Sequence, residues 1–200
     1  DGDPDIYVND GTGNFARREI TLEVPPRLFE TVTISAQDMD GDDKTDLIVT
    51  NEGWVLLYRA LGDYLYAPFE EIHIEDGSPR HGWLTHTWGD PDGDNDLDLL
   101  LPTSTNNGGE GDPELLVWSE DGVFGEPTRL DNGVGTTTLV GLFTDVDGDQ
   151  DSDIFIPSDL GPPSTLWRND AGAFTEIAES VGAAVSMAGM GVDGADLNGD

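Results

Sequence analysis

The sequence predicts an all-β fold, a β-propeller built from four-stranded antiparallel blades. Three observations carry this expectation. An aspartate-rich nonapeptide, D-x-D-G-D-x-x-x-D, occurs three times and each time runs into an apolar β-type segment. Short runs rich in Val, Ile, Leu, Thr and aromatic residues alternate with Gly, Asp and Asn clusters, four runs to a repeat. The repeat is about fifty residues long, a size at which each copy makes one small sheet and its neighbours must cover the faces.

The full motif copies are "DMDGDDKTDLIV" (38–49), "DPDGDNDLDLLL" (90–101) and "DVDGDQDSDIFI" (145–156). Half copies stand at either end, "DGDPD" at 1–5 and "DLNGD" at 196–200. The units are therefore 1–37 (short), 38–89, 90–144 and 145–195, with 196–200 opening a fifth loop. The strands expected in order are 31–36, 46–51, 54–60 and 64–72; then 82–89, 97–103, 114–119 and 123–130; then 137–144, 152–158, 164–169 and 173–180. A weak helical pattern appears only in "FTEIAESVGAAV", where Gly182 interrupts it.

Two aromatic signals keep step with the motif. A Gly-x-aromatic triplet recurs at Gly13–Phe15, Gly62–Tyr64, Gly122–Phe124 and Gly172–Phe174. A further aromatic recurs before the glycine, at Tyr58, Trp118 and Trp167, and is missing from the first unit. These side chains are expected to pack between blades. The segment between motif and triplet takes the insertions, "TNNGGEGDP" at 105–113 among them.

Composition narrows the function. The chain of 200 residues carries 42 acidic and 8 basic residues, a net charge of -34. That balance excludes nucleic acid and anionic lipid as partners. The absence of cysteine excludes disulfides and thiolate metal sites. No apolar run reaches the 18 or so residues of a membrane span.

Nearly half of the 42 acidic residues lie in the motif loops and their terminal halves. Two like charges about 4 Å apart repel by roughly 4 kcal/mol at an intermediate dielectric, so a fixed loop of this kind calls for a counter-charge. Oxygens at positions 1, 3, 5 and 9, with the carbonyl of position 7, can wrap one hard cation. The predicted ligand sets are Asp38, Asp40, Asp42 and Asp46 with the carbonyl of Lys44; Asp90, Asp92, Asp94 and Asp98 with that of Asp96; and Asp145, Asp147, Asp149 and Asp153 with that of Asp151. Asp1, Asp3 and Asp5 continue the pattern at one end, and Asp196, Asn198 and Asp200 at the other. Calcium, one ion per loop, fits an all-oxygen set better than zinc, copper or magnesium. The loop is not an EF-hand, because its glycine (Gly41, Gly93, Gly148) is at position 4 and position 12 is Val49, Leu101 or Ile156, already inside a strand. Position 6, Asp43, Asn95 or Gln150, is where a left-handed residue is expected, with Gln150 the least suited.

On these residues the chain resembles FG-GAP/VCBS-type repeats, the calcium-binding blades of integrin-α-like β-propellers. The last unit is similar to the repeat region found with ASPIC/UnbV-type proteins. The resemblance implies a ring of roughly seven blades, of which about four are present. A closed four-bladed ring, its two half-loops completing each other, is the alternative. The expected function is a calcium-binding extracellular module, secreted or at the cell surface, acting as a binding or adhesion scaffold for a protein or carbohydrate partner rather than as an enzyme. The competing expectation is a propeller-type polysaccharide lyase using His81 and His86 with Arg80 and Tyr64 or Tyr66.

Overall fold

A computed structural model describes residues 5–22, 31–51, 54–72, 85–102, 114–120, 123–131, 137–159 and 161–195. The chain is all-β, assembled from antiparallel sheets, and divides into two compact units, Asp1–Asp76 and Gly77–Asp200.

In the first unit, β1 (Asp5–Asn9) and β2 (Phe15–Glu19) form a hairpin. Its turn is closed by Asp10, whose carboxylate accepts from the backbone and side chains of Thr12 and Asn14. The main sheet holds β4 (Thr31–Gln37), β5 (Asp46–Asn51), β6 (Trp54–Gly62) and β7 (Leu65–Ile72), each antiparallel to the next. A short fifth strand, β3 (Thr21–Leu22), joins β7 in parallel. Period-two alternation sorts the side chains. Leu47, Val49, Tyr58, Ala60 and Tyr66 make one buried cluster, covered by Ile6 and Ile20 from the hairpin. Ile48, Thr50, Val55 and Leu57 share the opposite face and are buried as well. Both faces of the sheet are thus apolar, the pattern a blade between two neighbours requires.

The second unit repeats the design twice. One sheet runs β8 (Thr87–Gly89), β9 (Asp98–Leu101), β10 (Glu114–Val117) and β13 (Thr128–Leu130), with the small hairpin β11 (Ser119–Glu120) and β12 (Val123–Phe124) between the last two. The other runs β14 (Leu142–Thr144), β15 (Asp153–Ile156), β16 (Thr165–Asp170) and β17 (Ala173–Glu176). After β17 one helical turn, α1 (Ala178–Val181), ends at Gly182 with φ 79°, the left-handed cap that glycine supplies.

These two sheets stack face to face. Leu100, Leu116 and Leu130 of one meet Ile154, Ile156 and Trp167 of the other, with Trp118, Phe143 and Phe174 packed at the rim. Full burial of each such side chain is worth about 1.5–3 kcal/mol. The first strands of the two sheets are joined more closely still. Thr87 Oγ1 donates to the Gly141 carbonyl at 2.9 Å, and Thr85 Oγ1 donates to that of Leu139. A Cβ on Gly89 would stand 2.4 Å from the Phe143 ring, so the approach needs a glycine.

Each of the three larger sheets contains the strand that precedes its acidic loop, so these sheets are offset by one strand from the units counted from the motif. The strands expected at 114–119 and 123–130 are each divided in two, where Gly125 N–H bonds back to the Trp118 carbonyl. The expected equivalence of Tyr58, Trp118 and Trp167 is corrected by the register. Tyr58 pairs with Leu47 and Trp167 with Ile154, but Leu99 pairs with Val117. Trp118 is therefore one residue further on, on the other face of its strand line. Its indole Nε1 donates to Thr128 Oγ1 at 2.9 Å and its ring tilts against Phe174 at 6.2 Å. Among the described residues no helix is long and apolar enough to cross a membrane.

Candidate metal centres

Each full motif connects the first strand of a sheet to the second, and the backbone of each follows the same path. Position 4 is left-handed at Gly41, Gly93 and Gly148, with φ of 71°, 76° and 82°. Position 6 is left-handed too, at Asp43, Asn95 and Gln150, with φ of 63°, 75° and 81°. Two such residues in three turn successive N–H groups inward, toward the first carboxylate.

That carboxylate organises the loop. Gly41 N–H donates to Asp38 Oδ1 at 2.9 Å and Asp43 N–H to Asp38 Oδ2 at 2.9 Å. Gly93 and Asn95 bond Asp90 at 2.8 and 3.0 Å, and Gly148 and Gln150 bond Asp145 at 2.7 and 3.0 Å. The position-5 carboxylates, Asp42, Asp94 and Asp149, accept from the N–H of Lys44, Asp96 and Asp151 at 2.8–2.9 Å. The loops are therefore folded by their own aspartates, with carboxylate oxygens left facing one another.

The resulting groups are Asp38, Asp40 and Asp42; Asp90, Asp92 and Asp94; and Asp145, Asp147 and Asp153, each offering ligand oxygens within 4.8 Å of one another. Asp149 lies beside the third group on the same loop. The position-9 residue has a second task. Asp46, Asp98 and Asp153 are at most 1% exposed and stand at the start of the second strand. Their Oδ1 atoms accept from the N–H of Ala60, Ser119 and Asn169 on the neighbouring chain segment at 2.7, 2.7 and 2.8 Å. Oδ2 of Asp46 and Asp153 accepts from position 2 of the loop, Met39 N–H at 3.0 Å and Val146 N–H at 2.8 Å. In the middle loop position 2 is Pro91, which has no N–H, and Asp98 Oδ2 is without a hydrogen-bond partner.

Electrostatics follow from this crowding. Asp98 is pushed up to about 7, first by burial and then by Asp92, Asp94 and Asp90, against the Ser119 hydrogen bond. Burial and the neighbouring aspartates also raise Asp46, Asp92 and Asp147. Asp42 moves the other way, held down by its bond to Lys44 and by Arg59. The donor set, all oxygen, anionic and with one buried oxygen unsatisfied, suits a hard cation.

Asp1, Asp3, Asp196, Asn198 and Asp200 lie outside the described residues, and of Asp5 only the backbone, in β1, is described. His81 and Arg80 lie outside them too. Tyr66 is part of the apolar cluster of its sheet, and His86 packs edge-on against Trp88 at 6.0 Å, with burial lowering its pKa to about 4.

Sequence reasoning missed Asn169. It is fully buried, its Nδ2 donates to the Ser152 carbonyl at 3.2 Å and to the Pro91 carbonyl, and its N–H holds Asp153. One amide thereby ties the 90–98 loop to the 145–153 loop. A polar residue at a strand end two places after the Trp167 aromatic was the available signal.

The sequence model of the FG-GAP-like repeat matches residues 38–101 and 145–200. No curated protein matches the chain.

Proposed function

Because the chain belongs to the FG-GAP-like repeat family, we propose that it is a calcium-binding β-propeller module of an extracellular protein and serves as a binding or adhesion scaffold. One observation carries this reading: three loops, far apart in sequence, fold on the same set of hydrogen bonds and gather the same kind of carboxylate group. Asp38, Asp40 and Asp42, Asp90, Asp92 and Asp94, and Asp145, Asp147 and Asp153 would hold one ion each, joined by the position-7 carbonyls of Lys44, Asp96 and Asp151. A bound cation supplies the charge that offsets carboxylate repulsion, and so it stabilises the fold rather than a reaction. Extracellular modules of this kind work with calcium at about 10⁻⁴–10⁻³ M, a level found outside cells. A protein or carbohydrate partner is in keeping with a rigid, strongly acidic scaffold, and in this reading the module is not itself an enzyme. The narrower likeness to ASPIC/UnbV-type proteins rests on residues 152–200.

Thermal melts in calcium, magnesium and chelator test the proposal. Calcium is expected to raise Tm well above the chelated value, with magnesium in between. A Tm that ignores all three conditions would overturn it.

A further inference from the structure

The three loops share a backbone path but differ in charge environment, and the difference lies at loop position 7 and at one register position of the neighbouring strand. The residue that follows Tyr58, Val117 and Trp167 is Arg59, Trp118 and Arg168. Arg59, on β6, reaches the 38–46 loop and pairs through Nε with Asp40 Oδ2 at 2.5 Å. Lys44 adds a second cation, paired with Asp42. Two of the three gathered carboxylates in that loop therefore already face a positive side chain.

The middle loop is the opposite case. Its register position is Trp118, committed to Thr128. Among the described residues no Lys or Arg pairs with Asp90, Asp92, Asp94 or Asp98. Its buried Asp98 keeps an unpartnered oxygen, on the side where Asp46 and Asp153 accept from their own loops. The third loop is intermediate. Arg168 is drawn away by Asp170, bonded at 2.7 and 3.1 Å, and adds only a distant attraction for Asp147 and Asp153.

We propose that the loops take up calcium in a fixed order, 90–98 first, 145–153 second and 38–46 last, with Arg59 and Lys44 acting as built-in counter-ions that compete with the ion. This rests on the calcium reading above. It makes the first-unit loop the one that responds to changes in calcium concentration, while the middle loop stays filled.

The loops report on themselves. The amides of Gly41, Gly93 and Gly148 each donate to the first carboxylate of their own loop. A calcium titration of the isotope-labelled chain, followed by amide NMR, should move Gly93 at the lowest calcium, then Gly148, then Gly41. Arg59→Gln should tighten the Gly41 midpoint about fivefold, the effect of removing one partly exposed competing charge. Lys44→Gln, on an exposed side chain, should move the same midpoint in the same direction and leave Gly93 alone. A common midpoint for the three glycines, or a Gly41 midpoint indifferent to both substitutions, would overturn the order while calcium binding stood. Silence of all three amides would overturn both.

Discussion

Pro91 deprives Asp98 of a hydrogen bond. The same loop position supplies an N–H to the equivalent carboxylate from Met39 to Asp46 and from Val146 to Asp153. Only in the middle loop is the donor missing, and only there is the buried oxygen left alone. Pro91→Ala restores the donor. In chelator it should stabilise the fold by about 1 kcal/mol, the net worth of a hydrogen bond to a charged acceptor less the chain entropy that proline had removed. Urea midpoints of the two proteins at pH 7.5 measure this.

The same carboxylate makes the metal-free fold sensitive to base. Asp98 titrates near 7 in the folded chain against an ordinary value of 3.8. Folding therefore favours its protonated form, a contribution complete below about pH 4 and lost as pH rises through 7. Asp46, Asp92 and Asp147 are raised and act in the same sense. Asp42 and Asp10 are lowered, so their contributions are lost only below 3.8 and do not overlap. Chelated protein should lose stability between about pH 4 and pH 7, and Asp98→Asn should flatten part of that slope. A stability profile that rises over this range in chelator would refute the assignment.

Gln150 holds a left-handed backbone, φ 81°, where the other loops place Asp43 and Asn95. A long side chain in that conformation costs about 1 kcal/mol more than asparagine or glycine. Gln150→Asn should raise Tm in chelator and in calcium alike, because the strain is a property of the backbone.

Gly89 sits under the Phe143 ring, where a Cβ would approach within 2.4 Å. Gly89→Ala should cost about 1–3 kcal/mol by forcing the first strands of two sheets apart. Phe143→Leu in the same chain should recover part of the loss, and a double-mutant cycle would show the coupling.

Asn169 ties two loops. Asn169→Ala leaves the Pro91 and Ser152 carbonyls short of a donor and should cost about 2 kcal/mol. Calcium midpoints at Gly93 and Gly148 should both weaken, with Gly41 unchanged.

Much of this was written openly in the sequence. The strands at 31–36, 46–51, 54–60 and 64–72 emerge almost residue for residue as β4 to β7, because alternation and turn residues agree there. The left-handed sixth position was legible from Asn95 and the glycine before it. The Trp118 slip was not. Its unit carries the longest insertion, and a one-residue offset inside an insertion leaves the spacing of aromatics looking regular. Nor was the double role of Asp46, Asp98 and Asp153. A carboxylate in a motif looks the same whether its oxygens turn to a cation or to the N–H of the next strand, and only the register tells them apart. The last strand, expected to reach 180, stops at Glu176, where its Oε1 accepts from Ala178 N–H and the chain turns into α1.

The clip made by the position-9 aspartate spans chain stretches of unequal length. Asp46 reaches Ala60 across 14 residues, Asp153 reaches Asn169 across 16, and Asp98 reaches Ser119 across 21. The closing hydrogen bond hardly changes. The variable residues fall in sequence between the second and third strands of each sheet, and the clip returns the chain to the acidic loop in the same register. One end of a blade can therefore be lengthened, shortened or recast while the clip still presents the aspartates at the other end in the same register.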